Sequence, residues 1–391
     1  MPLDPNELHH ASLIIDTHAD TPQRFLDEGW EFNGALGAGM LSLDAAKAGG
    51  LDAEFFAIWV EPKYAGQYAD RAFALIDAVR EQAHRHRERM RLCRTPKEIL
   101  AARAEGKFAA LIGIEGGHAI ENSLENLRAF YKLGARYMTL TWSNTNEWAD
   151  SSGDLDDATV QHHNGLTKFG KDVVREMNRL GMMVDVSHVS DKTFADVLET
   201  TTAPIIASHS SCRALTDAAR NLTDDMLRAI AANNGVVMVN FYSGFLSETW
   251  RAARYEQEPE RKAAYAELNA HCIAENHLPL FHEELAIDRH FAALIPPAPL
   301  DVLINHFDHV VKIAGIDHVG IGTDFDGISA MPEGLHSAAD LPKITAALVA
   351  RGYTAEQVQK LLGGNLMRVF TDVQRTDMQQ LAKSGTTSSP Q

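Results

Sequence analysis

Three imidazoles and three carboxylates each follow a short apolar run: His18 and Asp20 in IDTHAD, Glu115 after FAALIGI, His188 in VDVSH, His209 in IIASH and Asp324 in GIGTD. A strand repeats every two residues, so His18 and Asp20 fall on one side and can grip one divalent ion. Taken singly, each has a plainer role. The histidines can be rim hydrogen-bonding residues, and Glu115 can rest on the neighbouring glycine amides or in solvent. Taken together, they are too many ligands for one tetrahedral zinc with an open position. They suit two metal ions about 3.5–4 Å apart, bridged by a carboxylate and a water or hydroxide. Glu115 is the natural bridge, because its carboxylate can present one oxygen to each ion.

Such a pair of ions performs hydrolysis: it acidifies a shared water towards a pKa of about 7 and polarises a carbonyl oxygen. A carboxylate outside the ligand set must then take the water's proton and pass it to the leaving group. Asp324 is assigned that role. Asp326, two residues on, is its competitor and is expected to lie past the strand end.

These residues need a scaffold that collects strand ends. Apolar, β-branched runs at 13–16, 53–60, 108–114, 137–141, 182–186, 204–207, 235–241 and 318–322 predict buried parallel strands. Helical patterns at 68–91, 123–133, 167–180, 192–199, 224–232, 301–314 and 353–370 lie between and after them. This alternation predicts a (β/α)8 TIM barrel over residues 1–375 as one catalytic domain, with the site at the C-terminal strand ends. An open doubly wound sheet is the alternative, weakened because no GxGxxG follows the first strand. The polar segment 244–300 is expected to be a helical excursion inserted before the eighth strand. Residues 376–391 are expected to be a disordered tail.

Composition narrows the partners. The chain has 391 residues, 45% hydrophobic and 23% charged, enough for a sizeable core. Lys+Arg 36 against Asp+Glu 53 gives −17, which disfavours nucleic acid. The basic stretch at 84–89 is read as a solvated helix face. No apolar run approaches the roughly 20 residues of a membrane span. Cys93, Cys212 and Cys272 form no paired motif, so a reduced, cytoplasmic setting is expected.

The stretches IDTHAD, LIGIEGGHAI, VDVSHVSDKTF, ASHSSCRAL, ARNLTDDML, VVMVNFY and GIGTDFDG occur in order along nearly the whole chain. On them the chain resembles the membrane dipeptidase (renal dipeptidase) family, peptidase family M19 of the amidohydrolase superfamily. The resemblance implies a binuclear zinc hydrolase, two Zn²⁺ per chain, that cleaves dipeptides, including those with a D-residue at the C-terminal position, and a homodimer. By the same resemblance, His18 and Asp20 hold one zinc and His188 and His209 the other. Glu115 bridges them, Asp324 is the acid/base, and Arg220 receives the substrate's terminal carboxylate. A salt bridge from Arg220 to Asp224 or Asp225 is the structural alternative.

One position departs from the family pattern. Where a histidine commonly follows LT and touches the scissile carbonyl oxygen, this chain has Trp142. An indole N–H donates one hydrogen bond and cannot become cationic. Either the metal alone polarises the carbonyl, or Asn144 or Asn146 supplies the donor. Other amides and esters, such as N-acyl amino acids, lactones or β-lactams, are the alternative substrates. A non-catalytic metal-binding scaffold is the alternative outside enzymes.

Overall fold

A computed structural model of the protein describes residues 4–384 apart from Ala35 and Ala38. Its strands are β1 (Ile15–Ala19), β2 (Ala53–Trp59), β3 (Met90–Leu92), β4 (Phe108–Glu115), β5 (Ala135–Thr139), β6 (Met183–Asp185), β7 (Ile206–Ala207), β8 (Val236–Val239) and β9 (Val319–Ile321). All pair in parallel in the order β2-β1-β9-β8-β7-β6-β5-β4, and β2 pairs with β4 from Ala53↔Ala109 to Trp59↔Glu115. That last pairing closes eight strands into the expected (β/α)8 barrel. The extra strand β3 flanks β4 outside the closed ring, at Met90↔Phe108. The helical pattern over 68–91 therefore divides: the helix is Tyr68–Arg85, and a three-residue strand is too short to show a period of its own. The basic stretch at the end of that helix is exposed and paired, Arg85 with Glu81 and Arg89 with Asp44.

The eight strands of the closed ring are buried along their whole length because two apolar layers use their two faces. Ile15, Phe55, Leu111, Tyr137, Met183 and Met238 pack inside the barrel together with Phe370 from the last helix. A larger layer, with Phe56, Ile58, Ile112 and Val237, lies between strands and helices. The last helix runs Asn365–Ser384, so the first part of the expected tail 376–391 is helical in its backbone; residues 385–391 lie outside those described.

The segment expected to be an excursion is helical. Helices Ser243–Leu246, Glu248–Glu256, Glu258–Ala274 and Phe281–Ala292 lie between β8 and the helix Leu300–Ala314 that precedes β9. Their own apolar cluster is small, built on Trp250, Ala292 and Ile295. No helix among the described residues is long and apolar enough to cross a membrane.

Candidate active site

All six residues meet at the C-terminal mouth of the barrel. Glu115, the last residue of β4, is only 3% exposed. His18 Nε2 lies 3.2 Å from its Oε2, and His188 and His209 Nε2 lie 2.9 and 3.4 Å from its Oε1. The last two nitrogens are 3.0 Å apart. Asp20 Oδ2 is 3.7 Å from His18 Nε2. Ligand atoms of His18, Glu115 and His209 form one group spanning at most 4.8 Å, and those of His18, Asp20 and Asp324 form another.

The other side of each ring decides what these nitrogens can do. Tyr137 donates its hydroxyl to Thr17 O at 3.0 Å, so at 3.0 Å from His18 Nδ1 it must accept. Ser208 donates to Asp185, so it accepts from His209 Nδ1 at 2.8 Å. In their neutral form both rings therefore carry their proton on Nδ1 and turn an Nε2 lone pair towards Glu115. A lone pair facing a carboxylate is repulsive unless something positive sits between them. His18 Nε2 and Asp20 Oδ1 are buried without a hydrogen-bond partner among the described residues. Orphaned buried ligand atoms of nitrogen and oxygen around one carboxylate are the donor set a divalent cation fits.

Electrostatics at the mouth show the same demand for positive charge beside Glu115. Burial pushes Glu115 up, but His18 and its companion imidazoles override it and hold the carboxyl well below the usual range. Burial pulls His18 down, and Glu115 followed by Asp20 overrides it, lifting the ring to about 10, so that with no cation between them a proton takes the place beside Glu115. His188 is brought down to about 4 by burial and then by Arg220, so it stays neutral at ordinary pH. Burial, opposed by His18, raises the Asp324 carboxyl above its usual value. Asn240 donates to Asp324 Oδ2 at 2.8 Å and fixes its orientation.

The backbone is strained at the same places. His188 (φ 68°), Asp324 (φ 65°) and Asp326 (φ 62°) adopt the left-handed region, at a cost of about 1–3 kcal/mol each. After His188 the chain recovers at once, because Ser190 caps the helix Asp191–Thr200 by accepting from Thr193 N. Gly327 approaches so closely that a Cβ there would sit 2.0 Å from Asp20 Oδ2 and 2.5 Å from Asp324 Oδ1. Asp326 turns away from the mouth: Thr21 Oγ1 and Met40 N hold its two oxygens at 2.8 and 3.0 Å.

Trp142 and Arg220 complete the surroundings. Trp142 lines a cavity of about 320 Å³ over the imidazoles, its ring 4.7 Å from Trp59, which packs 5.3 Å from Phe281 of the excursion. Asn146 is not an available donor; its side chain is spent on Leu140 O and on the amides of Trp148 and Ala149. Asn144 does not line this cavity, whereas Ser143 does, with its Oγ 3.5 Å from His188 Nδ1. Arg220 donates to Ser210 Oγ at 2.6 Å and to His209 O at 2.8 Å. The structural alternative for it fails, since Asp224 pairs with His309 and Asp225 with Arg228. Tyr137, Ser208, Asn240, Ser143 and Gly327 were not singled out from the sequence, although VVMVNFY and ASHSS contain two of them.

Comparison with known proteins decides the family. The membrane dipeptidase family, peptidase family M19, matches residues 4–384. The chain belongs to this family of metallo-dipeptidases. Dipeptidase 3 of Homo sapiens is 33% identical over 383 residues, covering 95% of this chain and 67% of its own length. Among solved structures, the probable dipeptidase PvdM from Pseudomonas aeruginosa superposes with a TM-score of 0.80 at 27% identity, over 95% of this chain and 98% of that one. A metallo peptidase from Rhodobacter sphaeroides, liganded with a phosphinate mimic of the dipeptide L-Ala-D-Ala, gives 0.74 at 27% identity, over 93% and 99%.

Proposed function

We propose that the protein is a zinc-dependent dipeptidase whose substrates include L,D-dipeptides. The observation that carries this reading is the convergence of the His18, His188 and His209 Nε2 atoms on Glu115. His18 and Asp20 would hold one ion, His188 and His209 the other, and Glu115 would bridge them. Bound there, two zinc ions supply acidification of a water and polarisation of the scissile carbonyl.

The remaining steps belong to the chain's own side chains. Asp324, raised by burial and steadied by Asn240, is suited to take a proton and return it to the leaving amine. Among the described residues Arg220 has no carboxylate partner, and burial lowers it only to about 10, so it remains a cation that can receive the dipeptide's terminal carboxylate. Trp142, Trp59 and Phe281 form an aromatic wall that excludes water. Ser143, next in the chain to the position where the family commonly has histidine, brings a hydroxyl to the cavity wall. The phosphinate mimic bound by the Rhodobacter relative supports a dipeptide substrate with a D-residue second.

The test is turnover of L-Ala-L-Ala, L-Ala-D-Ala and N-acetyl-alanine by the purified protein. Cleavage of the dipeptides, the L,D form included, is expected. Faster cleavage of the N-acyl amino acid than of either dipeptide contradicts the reading.

A further inference from the structure

Three ligating side chains of different kinds meet in the excursion, where helix Glu258–Ala274 hands the chain on to helix Phe281–Ala292. One ligand atom each of Cys272, His277 and Glu283 lies within 4.8 Å of the other two. The backbone brings them together. Helix Glu258–Ala274 ends in a Schellman turn: Asn276 takes the left-handed conformation (φ 62°), its N–H donates to Ile273 O at 3.1 Å, and His277 N–H donates to Cys272 O at 3.0 Å. The residues this turn sets against each other are commonly an apolar pair; here they are a thiol and an imidazole. Glu283, in the first turn of the next helix, reaches back to accept from Leu280 N at 2.7 Å through Oε2. A carboxylate fixed through one oxygen can offer the other to an ion.

The imidazole is oriented as a ligand. His277 Nδ1 lies 2.9 Å from Leu278 O, which can only accept, so the neutral ring carries its proton on Nδ1 and its lone pair on Nε2. That Nε2 is 3.4 Å from Glu275 Oε2, a contact that is favourable only with a proton or a metal ion between them. Cys272 is buried. The thiols of Cys93 and Cys212 donate to Arg91 O and His306 O, whereas Cys272 is the cysteine set beside an imidazole and a carboxylate among the described residues.

We propose that Cys272, His277 and Glu283 bind one zinc ion, at a site made of residues the mouth does not use, and that the ion clamps the turn between the two helices. One thiolate, one imidazole and one carboxylate are ligands that zinc takes in tetrahedral sites, with water or Glu275 in the fourth position. Binding displaces the thiol proton to solvent. The clamped turn bears on the barrel. Lys63 donates to Pro279 O at 2.6 Å and pairs with Glu284 at 2.8 Å, and Phe281 packs on Trp59.

The experiment titrates Co²⁺ into the reduced, full-length protein and follows its absorption spectrum. None of the six residues at the mouth is a cysteine, so a thiolate-to-cobalt charge-transfer band reports on Cys272 and not on the mouth. The band is expected, half-saturated at or below about 100 µM Co²⁺, and excess Zn²⁺, which such ligands hold more tightly, should abolish it. Cys272→Ala should lose the band. His277→Ala, at an exposed side chain, should raise the half-saturating concentration at least about tenfold. Added Zn²⁺ should slow amide hydrogen exchange over residues 275–280 in the wild type and not in Cys272→Ala. No band at that concentration, a full band in Cys272→Ala, or unchanged binding in His277→Ala overturns the site. Exchange that zinc leaves unchanged in the wild type overturns the clamp. Neither readout depends on turnover, so the dipeptidase reading stands or falls separately.

Discussion

Glu115 and Glu54 are both buried glutamates on adjacent, hydrogen-bonded strands, and their surroundings set them in opposite states. Glu115 ends β4 among three imidazoles, which hold it ionised. Glu54 lies within β2 beside Asp16; burial and then Asp16 push its carboxyl well above the usual value, and neither of its oxygens has a donor from another group among the described residues. A protonated Glu54 brings its own donor towards Asp16. Asp16 in turn accepts from Thr323 N at 2.8 Å and from the Thr323 hydroxyl, pinning β1 to the end of β9 just before Asp324. Burial of acidic groups therefore does not by itself mark a site in this barrel. The mouth differs because lone pairs from several strands converge there with no partner, whereas the Asp16–Glu54 pair closes on itself and on one threonine.

The contrast can be broken by substitution. Glu115→Gln removes the proposed bridge and leaves a neutral amide among the three imidazoles; activity should fall at least about 10³-fold with loss of bound metal. Near-normal turnover and metal content would remove Glu115 from the centre of the account. Asp324→Asn keeps the Asn240 neighbour but cannot carry the proton; kcat should fall about 10²–10⁴-fold with KM and metal content little changed. Arg220→Met should raise KM about 10–100-fold, the loss of a charged hydrogen-bonding partner, with a smaller effect on kcat. An unchanged KM would place the terminal carboxylate elsewhere.

Glu54→Gln is expected to be the mildest, with activity within about twofold of wild type and a stability change under about 1 kcal/mol near pH 5. Its sign with pH sharpens the contrast. A carboxyl raised above its ordinary 4.5 stabilises the fold while protonated, and that contribution fades as pH climbs from there through the folded value. Wild type should therefore lose melting temperature relative to Glu54→Gln between pH 5 and pH 9. A parallel pH dependence for the two proteins would show that Glu54 is ionised in the fold.

The sequence carried the barrel and the mouth because both depend on local pattern. Each strand is an apolar run, and His18, Glu115, His188, His209 and Asp324 sit at or just past the strand ends. Partners that reach across the ring were not legible. Tyr137 meets His18 only through the closed register, and Asn240 meets Asp324 only because β8 lies beside β9. The three residues of β3 are too few to show a period. The helices of the excursion were foreseen, but not that Phe281 would pack on Trp59 or that Asp288 would join the cavity wall. Those contacts are set by docking, which amphipathic pattern does not specify.

The most direct measurement is metal content per chain, taken alongside dipeptide turnover before chelation, after it, and after zinc is restored. The account predicts about two zinc ions per chain, loss of activity on removal and recovery on return. A metal-free protein that cleaves dipeptides at the full rate would contradict it.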